Sequence, residues 1–280
     1  MSENITVGVA GNLPGIVATR WAAARASRGQ KRLRLVHIVD PRIAGAGNPD
    51  LLIEAESAAA RILEEATEAA LAVDPALDVE TVVLTGAIIE TLAELSKSSG
   101  LLVVGSNRGD APGRASGTHS VRVAAASESP VAVIPDVDLA ARRGVVVGVD
   151  GSDLSEHALA VAAEEASRLG EPLIPVHAWH APNVYGGGVI VTGDFFDELR
   201  LAAEETLSLA LAGLRGRYPD LEITPVVVEG IPDMAILDAA HSASLVVVGS
   251  RGRGAFVRLL LGSVSHGVLA HLETPTIVAK

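Results

Sequence analysis

Short runs of β-branched residues alternate along the chain with alanine-rich segments in which apolar residues recur at helical spacing. In the second half, strands are predicted at 145–149 and 172–178, and the segment between them, 154–169, places Leu154 and Val161 on one face of a helix. Strands that alternate with helices indicate a parallel sheet with right-handed crossovers. The pattern therefore predicts an α/β fold.

The remaining elements of the second half continue this alternation. They are a long helix at 194–216, a strand at 223–228, a helix at 232–242, a strand at 244–248, a helix at 263–272 and a strand at 275–279. Such a series is typical of a doubly wound, Rossmann-like domain, and we expect the strand order 3-2-1-4-5.

The same pattern occurs twice in the chain. ITVGVAGN (5–12) aligns with VVVGVDGS (145–152), and LLVVGSNRG (101–109) aligns with LVVVGSRGR (245–253). The offset between the copies grows slowly and in order, which indicates duplication followed by small insertions in loops. The sequence therefore predicts two domains in tandem.

We place these domains at residues 1–136 and 144–280, joined by a polar connector. Hydrophobic residues make up 49% of the sequence but aromatic residues only 2%, so the predicted cores consist of Val, Leu, Ile and Ala. This composition suits parallel strands that are buried on both faces.

The net charge and the composition of the chain restrict the partners and the cellular compartment that we expect. The 22 Lys and Arg residues are outnumbered by 34 Asp and Glu residues, which gives a net charge of −12 and argues against a nucleic-acid surface. The chain has no cysteine, no apolar run near the length of a membrane span and no signal-peptide pattern at its start. We expect a cytoplasmic protein that binds neither nucleic acid nor a membrane.

A glycine-rich stretch, VVVGSRGRGAFVRLLLGSVSHGVL at 246–269, marks the candidate site. In an open α/β sheet, ligands bind beyond the carboxyl ends of the strands where the winding reverses. For the predicted strand order, this crevice lies between Asp150, after the first strand of the second domain, and Gly249, at the end of its fourth strand. We therefore expect two segments that are distant in sequence to meet there.

The residues of this stretch suit an anion. Gly249 and Gly252 have no Cβ, which would leave room for a ligand near the main chain. Ser263 is the predicted N-cap of the following helix, whose first N–H groups and dipole favour phosphate. The stretch is neither a Walker loop, since GxxxxGK(S/T) occurs nowhere, nor a dinucleotide fingerprint, since Val257 replaces its third glycine.

The spacing G-x2-G-x9-G-(S/T), formed by Gly249, Gly252, Gly262 and Ser263, resembles the universal stress protein family. The resemblance extends over both halves of the chain and includes VVVGVDGS and a second strand that ends near His177. It implies ATP-binding domains, with Mg²⁺, in a regulator of stress response or growth with slow or no ATP turnover.

The resemblance also assigns residues. By position, Asp150 would contact adenine or ribose, and Ala178 would line the adenine pocket. The residues that would hold the ribose and the phosphates are Gly249, Gly252, Gly262, Ser263 and Ser265, and Val248 and Val264 are further candidates for binding the nucleotide. The resemblance implies no catalytic residue, and the histidines lack partners at metal-ligand spacing.

The first copy departs from the pattern. Ala10 stands where the second copy has Asp150, and Arg108 replaces the second glycine, in a loop that is one residue shorter. We expect the second domain to bind ATP and the first to bind it weakly, differently or not at all. The weaker candidates in the first domain are Ala10, Gly105, Arg108, Gly109, Gly117, Thr118 and Ser120.

Other functions stay open at this point. The same crevice could serve a nucleotide hydrolase or an adenylate-transferring enzyme, although no nucleophile–base pair stands out, or the chain could be an interaction module with vestigial sites. The resemblance implies pairing through the last strands, 131–134 and 276–279, between copies or between domains, and an unknown regulatory protein partner. An exposed last strand is a pairing hazard, which agrees with that expectation.

Overall fold

The structure, a computed structural model, describes residues 4–44, 49–106, 118–138, 141–180, 193–252 and 261–280. The chain divides into two compact units: the first comprises Met1–Val137 and Pro275–Ile277, and the second comprises Asp138–Thr274 and Val278–Lys280. Within the described ranges, no helix combines the length and the apolar character needed to cross a membrane.

The first unit contains the strands β1 (Asn4–Gly8), β2 (Arg32–Val39), β3 (Val79–Thr85), β4 (Leu101–Ser106) and β5 (Val131–Pro135). Its helices are α1 (Leu13–Gly29), α2 (Pro49–Leu71), α3 (Ile88–Ser96) and α4 (Thr118–Ala126), and a 3-10 turn spans Pro41–Ala44. The strands lie in the order β3-β2-β1-β4-β5 and pair in parallel, which confirms the predicted order 3-2-1-4-5 for this unit.

The second half of the chain contains the strands β6 (Val145–Gly148), β7 (Leu173–Trp179), β8 (Val226–Glu229), β9 (Leu245–Gly249) and β10 (Thr276–Ala279). Its helices are α5 (Asp153–Leu169), α6 (Gly193–Leu211), α7 (Leu214–Arg217), α8 (Pro232–Ala240) and α9 (Ser263–Ala270). Its strand order is β8-β7-β6-β9-β10, the same order as in the first unit. Both halves of the chain are thus Rossmann-like α/β folds.

The strands at the centre of each unit form its core. Val145, Val146 and Val147 of β6 are fully buried, as are Leu102 and Val103 of β4. Consecutive buried residues, rather than alternating ones, are typical of parallel strands covered on both faces. This burial fixes the sheet and so positions the loops that leave its carboxyl edge.

Two predicted elements of the second unit are wrong in detail. The helix expected at 194–216 is two helices, because α6 ends at Leu211 and α7 begins after Gly213, a residue that disfavours a helix interior. The strand expected at 223–228 starts with an isolated bridge between Leu173 and Ile223 and becomes continuous only at β8. Pro225 lies between them and has no N–H for the ladder.

Candidate functional site

The pairing of β6 with β9 brings the two predicted segments together. Val145 lies opposite Leu245 and Val147 opposite Val247, so both strands end at the same edge of the sheet. Beyond that edge, the carboxylate of Asp150 packs directly on Gly252, where a Cβ would overlap Oδ2 and lie 3.3 Å from Cγ. The absence of a side chain at Gly252 therefore makes room for Asp150.

A turn after β6 holds the carboxylate of Asp150 in this position. Its Oδ1 accepts hydrogen bonds from the main-chain N–H of Ser152 at 3.0 Å and from the Ser152 hydroxyl at 2.6 Å. Gly151, between them, has a φ of +74°, the left-handed conformation that glycine tolerates best. Ser152 is also the N-cap of α5, where its side chain accepts from the N–H of Ser155.

The residue before Asp150 is fixed as well. The N–H of Val149 donates to the Val176 carbonyl at 2.9 Å, and the Val149 carbonyl accepts from Nδ1 of His177 at 2.7 Å. The N–H of Asp150 lies 3.3 Å from Oγ of Ser155. His177 was predicted to lie near the end of the second strand, but its contact with the Val149 carbonyl was not predicted. The signal for this contact is that both copies have a histidine at this place, His37 and His177.

The structure gives a reason for glycine at position 249 that differs from the one the sequence suggested. A Cβ at this position would lie 3.1 Å from the Leu154 carbonyl oxygen and 3.0 Å from that of Arg251. The glycine therefore allows the first turn of α5 to approach the end of β9. Its predicted part in ligand binding stays a prediction.

The N-cap predicted at Ser263 is wrong. The N-cap of α9 is Gly262, with φ −72° and ψ 161°, and its N–H donates to the Ser250 carbonyl at 2.8 Å. The first hydrogen bond within the helix runs from His266 N–H to the Gly262 carbonyl at 2.9 Å. The N–H groups of Ser263, Val264 and Ser265 thus have no acceptor within their own helix, the arrangement that suits an anion.

The hydroxyl of Ser265 serves the protein itself. Ser265 is 2% exposed, and its Oγ lies 3.1 Å from the Gly262 carbonyl oxygen and 3.3 Å from that of Ser250. This contact ties the start of α9 to the end of β9. The predicted ligand contact of Ser265, through its hydroxyl and its amide, stays a prediction.

The two remaining candidates of the second unit lie in strands next to this edge. Val248 is buried in β9. Ala178 is half-buried in β7, where it pairs with Val228. These positions place Ala178 one strand away from Asp150, on the side of β6 opposite to β9.

Positive charge gathers beside the start of the glycine loop. The N–H of Ser250 donates to the Ala279 carbonyl at 2.8 Å, which sets the end of β10 next to the end of β9. Burial, and then the charge of neighbouring Arg251, lower the pKa of Lys280. Arg251, whose Cα would lie 3.2 Å from a Cβ at Gly262, adds a positive charge near the N-terminus of α9 and so favours an anion at this edge.

At the corresponding edge of the first unit, Ala10 occupies the position of Asp150 and supplies no carboxylate. A Cβ at Gly105 would overlap the Pro14 carbonyl oxygen and lie 2.6 Å from its carbon, so this glycine also serves helix packing. Thr118 begins α4, and Ser120 is buried with its Oγ 3.5 Å from Oγ of Ser106. The other candidates, Arg108, Gly109 and Gly117, lie outside the described residues.

Two further features of the described ranges bear on the chemistry. They contain no group of three or more His, Cys, Asp or Glu side chains that could hold a metal ion. A groove of about 600 Å³ lies elsewhere in the second unit and includes no predicted site residue. It is lined by Glu204, Leu207, Ser208, Leu211, Ala212, Arg215, Pro225 and Val227.

Comparison with known proteins identifies the family. The model of the universal stress protein family matches residues 1–135 and again residues 141–280. The chain is 35% identical over 292 residues to universal stress protein Rv2623 of Mycobacterium tuberculosis, covering 100% of this chain and 97% of that protein. It is 36% identical over 294 residues to Rv2005c of the same organism, covering 99% and 97%. The chain belongs to the universal stress protein family, with two family domains in tandem.

Solved structures agree on the fold. A universal stress protein from Archaeoglobus fulgidus superposes with a TM-score of 0.73 at 20% identity, covering 100% of this chain and 99% of that one. A putative universal stress protein from Pseudomonas aeruginosa gives a TM-score of 0.67 at 18% identity, covering 100% and 93%. At these identities, the likeness concerns the fold alone.

Proposed function

We propose that the second unit binds an adenine nucleotide, ATP with Mg²⁺, at the edge where β6 and β9 end. The observation that carries this proposal is the approach of the Asp150 carboxylate to Gly252 beside the N-terminus of α9. A carboxylate and a set of helix N–H groups are complementary to the two ends of a nucleotide, since ribose hydroxyls donate and phosphates accept.

The surroundings support a polyphosphate in particular. The first three N–H groups of α9 and the charge of Arg251 beside Gly262 favour several negative charges at this edge. Mg²⁺ is commonly held through substrate phosphates and one or two carboxylates rather than by a cage of protein ligands.

We further propose that the two units differ in occupancy, with one nucleotide bound per chain in the second unit. Ala10 supplies no carboxylate at the position of Asp150. The bound nucleotide would act as a ligand in a cytoplasmic regulator of stress response or growth, with slow or no turnover. Such a ligand shifts conformations only through a difference in its affinity for them.

Calorimetric titration of the intact chain with Mg²⁺-ATP tests this proposal. We expect one site per chain, and we expect Asp150→Ala to abolish measurable binding. Asp153→Ala is the matched control, because Asp153 is an exposed carboxylate three residues away and should leave the affinity unchanged. Two equal sites per chain would refute the asymmetry, and unchanged binding by Asp150→Ala would refute the site.

Two measurements extend this test. Mass spectrometry of small molecules released from the purified protein would show which adenine compound it carries. Steady ATP hydrolysis that disappears in Asp150→Ala would indicate an enzyme instead of a ligand-controlled regulator. Pairing through the last strands, 131–134 and 276–279, stays a prediction, and sedimentation of the intact chain would show whether two copies associate.

A further inference from the structure

A histidine on the second strand of each unit contacts the carbonyl that ends the first strand. Nδ1 of His177 lies 2.7 Å from the Val149 oxygen, and Nδ1 of His37 lies 2.8 Å from the Val9 oxygen. A main-chain carbonyl can only accept a hydrogen bond, so Nδ1 carries the proton in both rings. The neutral form of each ring is therefore the Nδ1–H tautomer, whose Nε2 is an acceptor.

This contact lies where the first strand leaves the sheet. The ladder between β6 and β7 ends at the pair Gly148–Val176, and the N–H of Val149 then donates to the Val176 carbonyl. Beyond this point, the imidazole of His177, a side-chain group, donates to the Val149 carbonyl. Both polar groups of the Val149 main chain are thus held immediately before Asp150.

We infer that His177 is a positioning residue of the candidate nucleotide site. By fixing the Val149 carbonyl, it fixes the direction in which Asp150 leaves β6 and keeps the carboxylate on Gly252. This inference rests on the proposed function, because it assigns His177 a part in nucleotide affinity. A carboxylate that is already in place loses less freedom on binding, and such pre-organisation strengthens affinity.

The first unit makes it possible to separate the effect of this hydrogen bond on stability from its effect on nucleotide affinity. The N–H of Val9 donates to the Val36 carbonyl at 2.8 Å, so His37 makes the same contact on the same kind of turn. Ala10 follows this turn, and no carboxylate depends on it. Loss of the contact should therefore reduce the stability of either unit, but it should reduce nucleotide affinity only in the second.

Substitution of His177 provides the test, with Mg²⁺-ATP titrated into the full chain. His177→Leu removes the hydrogen-bond donor. We expect the Kd to rise roughly tenfold, because the net free energy of one hydrogen bond corresponds to about that factor in Kd. His177→Asn places an amide nitrogen near the position of Nδ1, so its Kd should stay within about threefold of wild type. His177→Gln carries its nitrogen one bond farther and should resemble the leucine variant.

His37→Leu is the matched control. It should lower the melting temperature about as much as His177→Leu and leave the Kd unchanged. If His177→Leu does not fold, the comparison of His177→Asn with His177→Gln tests the same point. Nitrogen-edited NMR of the wild-type rings should show Nδ1–H in both, and an Nε2–H tautomer at His177 would overturn the inference.

The outcomes also separate this inference from the proposed function. Normal ATP binding by wild type and equally tight binding by His177→Leu and His177→Gln would overturn the positioning role and leave the proposed function intact. Equal weakening by His37→Leu would show a general loss of stability and would overturn it too. A wild-type chain that binds no nucleotide would refute the proposed function, and the positioning role would fall with it.

Discussion

The turn after the first strand contains an equivalent hydrogen bond in each unit, but the group that accepts this bond differs between the two units. In the first unit, the N–H of Asn12 donates to the main-chain oxygen of Ala10 at 2.7 Å. In the second unit, the equivalent N–H, that of Ser152, donates to the side-chain Oδ1 of Asp150 at 3.0 Å. A carboxylate has thus taken the place of a main-chain carbonyl.

This exchange involves a second position. The Ala10 oxygen turns towards Gly15, where a Cβ would overlap it and would lie 3.0 Å from the Ala10 nitrogen. The second unit has Ser155 at this place, and its Oγ lies 3.3 Å from the Asp150 nitrogen. Residues 10 and 15, like 150 and 155, are therefore coupled, and the first unit differs from the second by a rebuilt turn as well as by a missing charge.

The largest effect should come from Gly15→Ser, which places a side chain of the second unit in the turn of the first. The new Cβ would overlap the Ala10 carbonyl, a main-chain group that cannot move without breaking its bond to Asn12. We expect the free energy of unfolding to fall by about 3 kcal/mol. Urea denaturation of the intact chain, followed by circular dichroism, measures this loss.

Adding Ala10→Asp to Gly15→Ser sharpens the result. The new carboxylate can accept from the N–H of Asn12, which releases the carbonyl from Gly15. The double variant should therefore be more stable than Gly15→Ser alone, with a coupling of about 1 kcal/mol or more. Strict additivity of the two substitutions would show that residues 10 and 15 are not coupled.

A second comparison concerns the glycines that end the fourth strands. In Gly105→Ala, the methyl group would lie 2.6 Å from the Pro14 carbonyl carbon, whereas in Gly249→Ala the nearest atoms are carbonyl oxygens at 3.0–3.1 Å. We expect a loss of about 2–3 kcal/mol for Gly105→Ala and about 1 kcal/mol for Gly249→Ala. Equal losses in urea denaturation would show that the two helix contacts are equally tight.

Gly252→Ala tests the carboxylate of the second unit directly. Its methyl group would occupy the space of Asp150 Oδ2 and force the side chain away from its bonds to Ser152. We expect the Kd for Mg²⁺-ATP to rise roughly 100-fold, since an acceptor that is ionised contributes more than a neutral one. Gly230→Ala is the control, because a Cβ there meets no atom within 4 Å, and unchanged affinity in Gly252→Ala would contradict the proposal.

The sequence was sufficient to predict the α/β class, the tandem arrangement and the strand order. Buried strands such as β4 and β9 each begin with four consecutive Val or Leu residues, a pattern that is typical of strands covered on both faces. The meeting of Asp150 with the glycine loop followed from the strand order alone. Topology determined it without any knowledge of side-chain geometry.

The reasons for individual residues could not be predicted in this way. Gly249 makes room for Leu154 of α5, and Gly252 makes room for Asp150; both contacts depend on tertiary approach. The N-cap was predicted at Ser263 from its residue type, but the backbone places it at Gly262. The N–H of Gly262 donates to the carbonyl of Ser250, the residue that follows β9. Residue preferences locate a helix start only to within one or two positions.

The smallest expected effect concerns charge at the end of the second strand, where the first unit has Asp40 and the second has His180. Side-chain and main-chain hydrogen bonds from Arg42 lower the pKa of Asp40 to about 2, and the Asp40 side chain is only 10% exposed. Because this pKa lies below the unfolded value of about 3.9, the pair should stabilise the first unit above pH ~4 and lose its effect as pH falls towards 2. Carbon-detected NMR titration should show Arg42→Gln raising the pKa of Asp40, while Arg200→Gln, which removes an exposed cation of the second unit, should not. An unchanged Asp40 titration in Arg42→Gln would mean that the N–H of residue 42 alone holds this carboxylate in its ionised form.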